Sequence, residues 1–170
     1  MTSFVSFIHL LSVILFIAAL GYGGFSDLRT FKISNRVPLV IFISFFPAAI
    51  TAGWDVMAIL KNLSTFLFVL SACFALFSFK IIGGGDAKFL AAASIWFGWG
   101  VLPSFLFLVA LGGGILSLII LVFRRFQLPP VLADVGWVRR LHSEELGVPY
   151  GVAIGISGLL LISKIDVVSF

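Results

Sequence analysis

The chain has 170 residues, 61% hydrophobic and only 11% charged, with a mean hydropathy of +1.24. Soluble domains are about half apolar and about one-quarter charged, and disordered chains are poorer still in apolar residues, so both classes are excluded and an integral membrane protein remains. The formal charge of +4 does not point to nucleic acid, because the 11 Lys and Arg are scattered between hydrophobic runs rather than gathered on one face.

Stretches without Asp, Glu, Lys or Arg run over 1–26, 37–54, 62–79, 89–123 and 146–163. A membrane-crossing helix needs about 20 mostly apolar residues. The first stretch predicts a span over 4–25. It carries neither the basic segment nor the small-x-small site of a cleaved signal peptide, so it is expected to be retained. Spans two and three are expected over 37–54 and 62–82. The stretch 89–123 is too long for one helix and is punctuated by Gly98, Gly100 and Pro103, which predicts a turn between spans over 86–101 and 103–123. A last span is expected over 148–165. The fold class is therefore all-α, a polytopic membrane protein of six transmembrane helices forming one domain over 1–170.

Lys and Arg accumulate on the cytoplasmic side of membrane proteins. Arg29, Lys32, Arg36, Lys80, Lys88, Arg124, Arg125, Arg139 and Arg140 all fall in loops on one side of the predicted bundle, leaving only Lys61 and Lys164 for the other. Both termini are thus expected outside. Trp54, Trp96 and Trp99 fall at the predicted outer boundary, where amphipathic rings favour the headgroup layer. The segment Arg124 to Leu146 places Val131, Leu132, Val135, Val138 and Leu141 at roughly helical spacing beside Trp137, Arg139 and Arg140, as in an interfacial amphipathic helix or a lid. Arg29, Lys32 and Arg36 are expected to contact anionic membrane lipids.

Two acidic residues sit awkwardly for a membrane bundle. Asp27 ends span one after Gly21, Gly23 and Gly24, and Asp86 opens span four framed by Gly83, Gly84 and Gly85. Ionisable groups at membrane depth are costly and read by default as functional. The topology returns both to the same depth and face. Two carboxylates sharing a site hold one proton between them. Such a pair performs aspartic-protease chemistry, one member taking a proton from attacking water while the other donates to the developing oxyanion. The alternative is a pair of helix caps matched to Arg29 and Lys88 on an inert bundle. His9 and His142 are isolated from each other and the single Cys73 has no partner, so neither a metal nor another cofactor is expected.

Asp27, Leu28 and Arg29 followed by Ile33 and Asn35, then Gly83, Gly85, Asp86 and Lys88, with Pro149, Tyr150 and Gly151 opening the last span, resemble the signatures of the prepilin peptidases, membrane aspartic proteases of the GxGD type. With six spans, the resemblance covers nearly the whole chain. It implies that Asp27 and Asp86 are the catalytic pair at the cytoplasmic face of the inner membrane, and that Gly83, Gly85, Lys88 and Asn35 shape the site or bind substrate. Gly83 and Gly85 permit close backbone approach to an extended strand beside Asp86. The implied partner is a prepilin or pilin-like precursor with a hydrophobic N-terminal helix, cut after its short basic leader. Larger bacterial members carry a Cys-paired cytoplasmic segment linked to N-methylation; only Asp27 to Arg36 stands between spans one and two here, so methylation is not expected. This compact form resembles the peptidases of Flp-type, tight-adherence pilus systems. Three other readings compete: a proton-coupled transporter, disfavoured because the charge-free stretches leave no Asp, Glu, Lys or Arg at mid-membrane; a non-catalytic pilus-assembly scaffold, which would tolerate Asp27→Asn; and a presenilin-type protease, which would lack the first motif.

Overall fold

A computed structural model describes residues 2–143 and 147–168. Among them every regular element is a helix: α1 Thr2–Thr30, α2 Arg36–Thr51, α3 Val56–Ser78, α4 Gly84–Arg124, α5 Pro130–Ala133, α6 Gly136–His142 and α7 Tyr150–Leu160, followed by a 3₁₀ turn, Ile162–Lys164. Three helices, Ser3–Thr30 within α1, α3 and α4, are long and apolar enough to cross a membrane, while α2 and α7 are shorter apolar helices. The described residues are thus all-helical, with helices suited by length and composition to a membrane. α3 starts at Val56, ahead of the charge-free stretch, because Asp55 caps it by accepting the Ala58 N–H at 2.7 Å. Lys61 then rides exposed on its second turn.

At 41 residues, α4 is long enough to cross a bilayer twice, since its length would reach about 60 Å against a hydrocarbon core of about 30 Å. It is broken at Gly98, whose φ of 56° and ψ of 177° no side-chain-bearing residue adopts readily. The bend is sharp: the rings of Phe97 and Phe105 stack with centroids 4.2 Å apart, whereas a straight helix would separate those positions by about 12 Å along its axis. In an unbroken helix the carbonyls of Ser94 and Ile95 would accept the N–H groups of Gly98 and Trp99. α3 supplies replacements instead. Asn62 Nδ2 donates to Ile95 O at 2.9 Å, and the Thr65 hydroxyl is shared between Asn62 O at 2.7 Å and Ser94 O at 3.0 Å, so both of these carbonyls find a polar partner on α3. A Cβ at Gly98 would stand 2.8 Å from Asn62 Oδ1.

The core lies between α1, α2, α3 and the first half of α4, around Phe16, Phe45, Phe89, Ile95 and Trp96. Trp96 corrects the expectation of an outer tryptophan belt. It is 1% exposed, stacks on Phe16 at 4.2 Å and donates from Nε1 to Ile41 O at 2.9 Å. Trp99 stays exposed and bonds Ser64 Oγ at 2.8 Å, as an interfacial ring would. α7 lies on α1 with backbones in contact: a Cβ at Gly155 would meet Leu20 O at 2.7 Å, and one at Gly24 would meet Gly151 O at 3.2 Å. Small residues at a helix crossing allow that approach. The expected amphipathic segment is split into α5 and α6, with Val138 buried and Val131 and Trp137 exposed; its residues 144–146 lie outside the described residues.

Candidate active site

Four pieces of backbone meet at one end of the bundle: the last turn of α1, the link 31–35, the first turn of α4 and the first turn of α7. The link turns tightly. Phe31 takes a φ of 54°, held by its N–H to Asp27 O at 2.8 Å and by the Ser26 and Thr30 hydroxyls, which donate to Lys32 O at 3.0 and 3.1 Å. These local bonds offset the cost of a left-handed non-glycine residue, about 1–2 kcal/mol.

Asp27 is 5% exposed, and its Oδ2 accepts the Gly151 N–H at 2.7 Å. Asp86, in the first turn of α4, is half-buried. Its carboxyl lies close enough to Asp27 for the two charges to interact, and its neighbour Gly85 stands against Ile33, which also abuts Gly151. The two aspartates paired by the sequence argument therefore lie at one site, with the Gly151 N–H given to Asp27. Gly83 is the N-cap of α4, and the Asp86 Oδ2 folds back to within 3.0 Å of where a Cβ at Gly83 would stand. A Cβ at Gly85 would meet Ile33 at 3.5 Å, an ordinary contact.

Gly151 is the tightest point. A Cβ there would lie 2.7 Å from Ile33 Cδ1 and 2.9 Å from both Cβ and Oδ2 of Asp27. Ile33 is thus a wedge between Gly85 of α4 and Gly151 of α7, and it sets the spacing of the two helix starts that carry Asp86 and the amide donor. Sequence reasoning named Ile33 and Gly151 within the family signatures but gave neither a role in the site. The available signal was a proline followed two residues later by glycine at the opening of a helix, Pro149 and Gly151, where a side chain is dispensed with and an early, unpaired N–H is on offer.

Asn35 and Lys88 come together with each other rather than with the aspartates. Lys88 Nζ donates to Asn35 Oδ1 at 3.1 Å, and Asn35, although it stands at the N-cap of α2, makes no side-chain cap bond. Above the site, Arg140 of α6 donates to Arg29 O at 3.0 Å, tying the α5–α6 strap to the end of α1. Among the described residues no three His, Cys, Asp or Glu side chains gather as a metal-ligand group. The arrangement offers instead two adjacent carboxyls, one held by a peptide N–H and one reaching the open side, which suits proton transfer to and from a water-attacked carbonyl.

A family model described as the type IV leader peptidase family matches residues 14–118. No curated protein and no solved structure matches the chain. The matched segment holds Asp27, Ile33, Asn35, Gly83, Gly85, Asp86 and Lys88, and ends before Gly151.

Proposed function

The chain belongs to the type IV leader peptidase family, a membrane-embedded peptidase by that membership, and from this premise we propose that it is an aspartic endopeptidase cutting the short basic leader from prepilins and pilin-like precursors at the cytoplasmic face of the inner membrane. The observation that carries the reading is the placement of Asp86 beside Asp27, whose carboxylate is held by the Gly151 amide. One carboxylate takes a proton from water as its oxygen adds to the scissile carbonyl; the other, protonated, gives its proton to the carbonyl oxygen. The tetrahedral intermediate then collapses as the C–N bond breaks and the leaving amine takes a proton from the pair. No covalent intermediate with the enzyme is required. Six crossings with both termini outside accompany this reading: α4 counts twice because of its break at Gly98, and the basic loops then lie with the aspartates. The absence of any insertion between Asp27 and Arg36 favours the compact Flp-type, tight-adherence branch.

The test is co-expression with a pilin precursor, followed by the mobility shift on leader removal. Wild type and Asp55→Asn should process the precursor, while Asp27→Asn and Asp86→Asn should insert normally and leave it uncut. Cleavage that persists in either of the last two overturns the aspartic mechanism and returns the scaffold reading.

A further inference from the structure

Beyond the carboxylate site, a cleft of about 390 Å³ runs between α2, α3 and α4. Its walls are Phe42, Phe66, Leu70 and Ala92, and its polar atoms are confined to one end, where Lys88 and Asn35 stand. Leu39 on the rim is 55% exposed, so the cleft opens on the lipid-facing side of the bundle. Among the described residues the Lys88 ammonium has Asn35 Oδ1 as its partner and no carboxylate, which leaves N–H donors on both the ammonium and the Asn35 amide for a further acceptor. On the other side of α2 a second apolar cleft, of about 270 Å³ between α1 and α2, is likewise lined by a cation, Arg36, beside Leu15, Tyr22 and Val40.

We propose that the α2–α3–α4 cleft is a binding site for an anionic phospholipid, with its phosphate on Lys88 and Asn35 and an acyl chain between Phe42, Phe66 and Leu70. Charge and shape agree on this occupant: a cation and an amide at the membrane-surface end, hydrocarbon-lined walls below, and a volume within the roughly 300–1,000 Å³ of small-molecule sites. Direction separates it from the path of a peptide across the aspartates. Two residues along an α-helix turn it by about 200°, so Lys88 leaves α4 on the face opposite Asp86 and turns to α2. A lipid seated there bridges α2 and α3 to the turn of α4 that carries Asp86, which couples the anionic content of the bilayer to the rigidity of that turn. The inference needs only the membrane setting, not the hydrolase reading.

Native mass spectrometry of the full chain in nonionic detergent, titrated with phosphatidylglycerol or phosphatidylcholine of equal acyl length, tests it. Phosphatidylglycerol should bind at least tenfold more tightly than phosphatidylcholine. Lys88→Gln should weaken it by about fivefold, the effect of one basic residue at an anionic surface, and Asn35→Asp, which replaces the amide by a repelling carboxylate, should weaken it at least as much. Arg125→Gln, an exposed charge outside the cleft, should leave it unchanged. Equal binding of the two lipids, or an equal loss in all three variants, overturns the site in favour of general surface attraction. Displacement of the lipid one for one by a hydrophobic precursor peptide overturns it in favour of a substrate groove.

Discussion

The two ends of α4's first half, Asp86 at its start and Gly98 at its break, handle buried polar groups in opposite ways. Around Gly98, the side chains of Asn62, Thr65 and Trp96 each give a hydrogen bond to a backbone carbonyl, those of Ile95, Ser94 and Ile41. These donors are directed at the backbone of the fold itself. Around Asp86 the direction reverses: a backbone N–H, that of Gly151, is given to a side-chain carboxylate, and the second carboxyl stands half-exposed beside it. A polar group spent on the backbone holds the architecture, whereas a carboxylate oriented by one backbone N–H keeps further acceptor sites open for proton transfer. Burial alone does not separate the two cases, since Asn62 and Asp27 are 7% and 5% exposed.

Substitutions break this comparison in a graded order. The largest effect belongs to Asp27→Asn and Asp86→Asn, each expected to lower leader cleavage by about 10²–10⁴-fold, the usual contribution of a general acid or base, with unchanged membrane insertion as the check on folding. Next is Gly151→Ala. Its methyl would lie within 2.9 Å of the Asp27 carboxylate, and a displacement of about 1 Å at reacting groups costs about 10²-fold. The loss should appear in kcat more than in KM, and Ile33→Val, which trims the wedge, should restore part of it.

Effects at the other end should fall on stability instead. Gly98→Ala forces a positive φ on a residue with a Cβ and drives it against Asn62, a strain of about 1–3 kcal/mol. Asn62→Leu removes the partner of Ile95 O and leaves a buried carbonyl unsatisfied, about 1–3 kcal/mol. Thermal unfolding in detergent should register both, while processing at permissive temperature continues. Loss of cleavage without loss of Tm in either variant would show that the two ends are coupled. The smallest effect is expected from Arg140→Gln, which removes one exposed hydrogen bond to Arg29 O, about 0.5–1.5 kcal/mol at most, measured as faster proteolysis of the α5–α6 strap.

Much of the candidate site was legible because its chemistry is rare in such a chain. Among seven acidic residues in a largely apolar sequence, Asp27 and Asp86 stand out by position alone, and an even number of expected crossings between them returns both to one face. The break in α4 was legible as a region, since Gly98, Gly100 and Pro103 cluster there; which of them bends the chain was not, because that depends on what α3 can offer to the freed carbonyls. Trp96 was misjudged for a related reason. Its place near a predicted boundary suggested the headgroup layer, yet its indole N–H finds Ile41 O inside the bundle and its ring finds Phe16. Helical spacing within one segment carries no information about which neighbour covers a given face.

The sequence by itself pointed to the solvent, the helices and the two carboxylates: hydrophobic runs of this length suit helices in lipid, where backbone groups must be satisfied within the protein, and isolated acids in such runs need a reason to exist. Tertiary structure alone decided how those acids are held. The amide on Asp27 comes from Gly151, 124 residues away; the wedge that spaces it is Ile33; and Lys88, two places from Asp86, turns to Asn35 instead. Each is a contact between segments distant along the chain, governed by how closely helix backbones approach, and that distance is set by packing in three dimensions rather than by order in one.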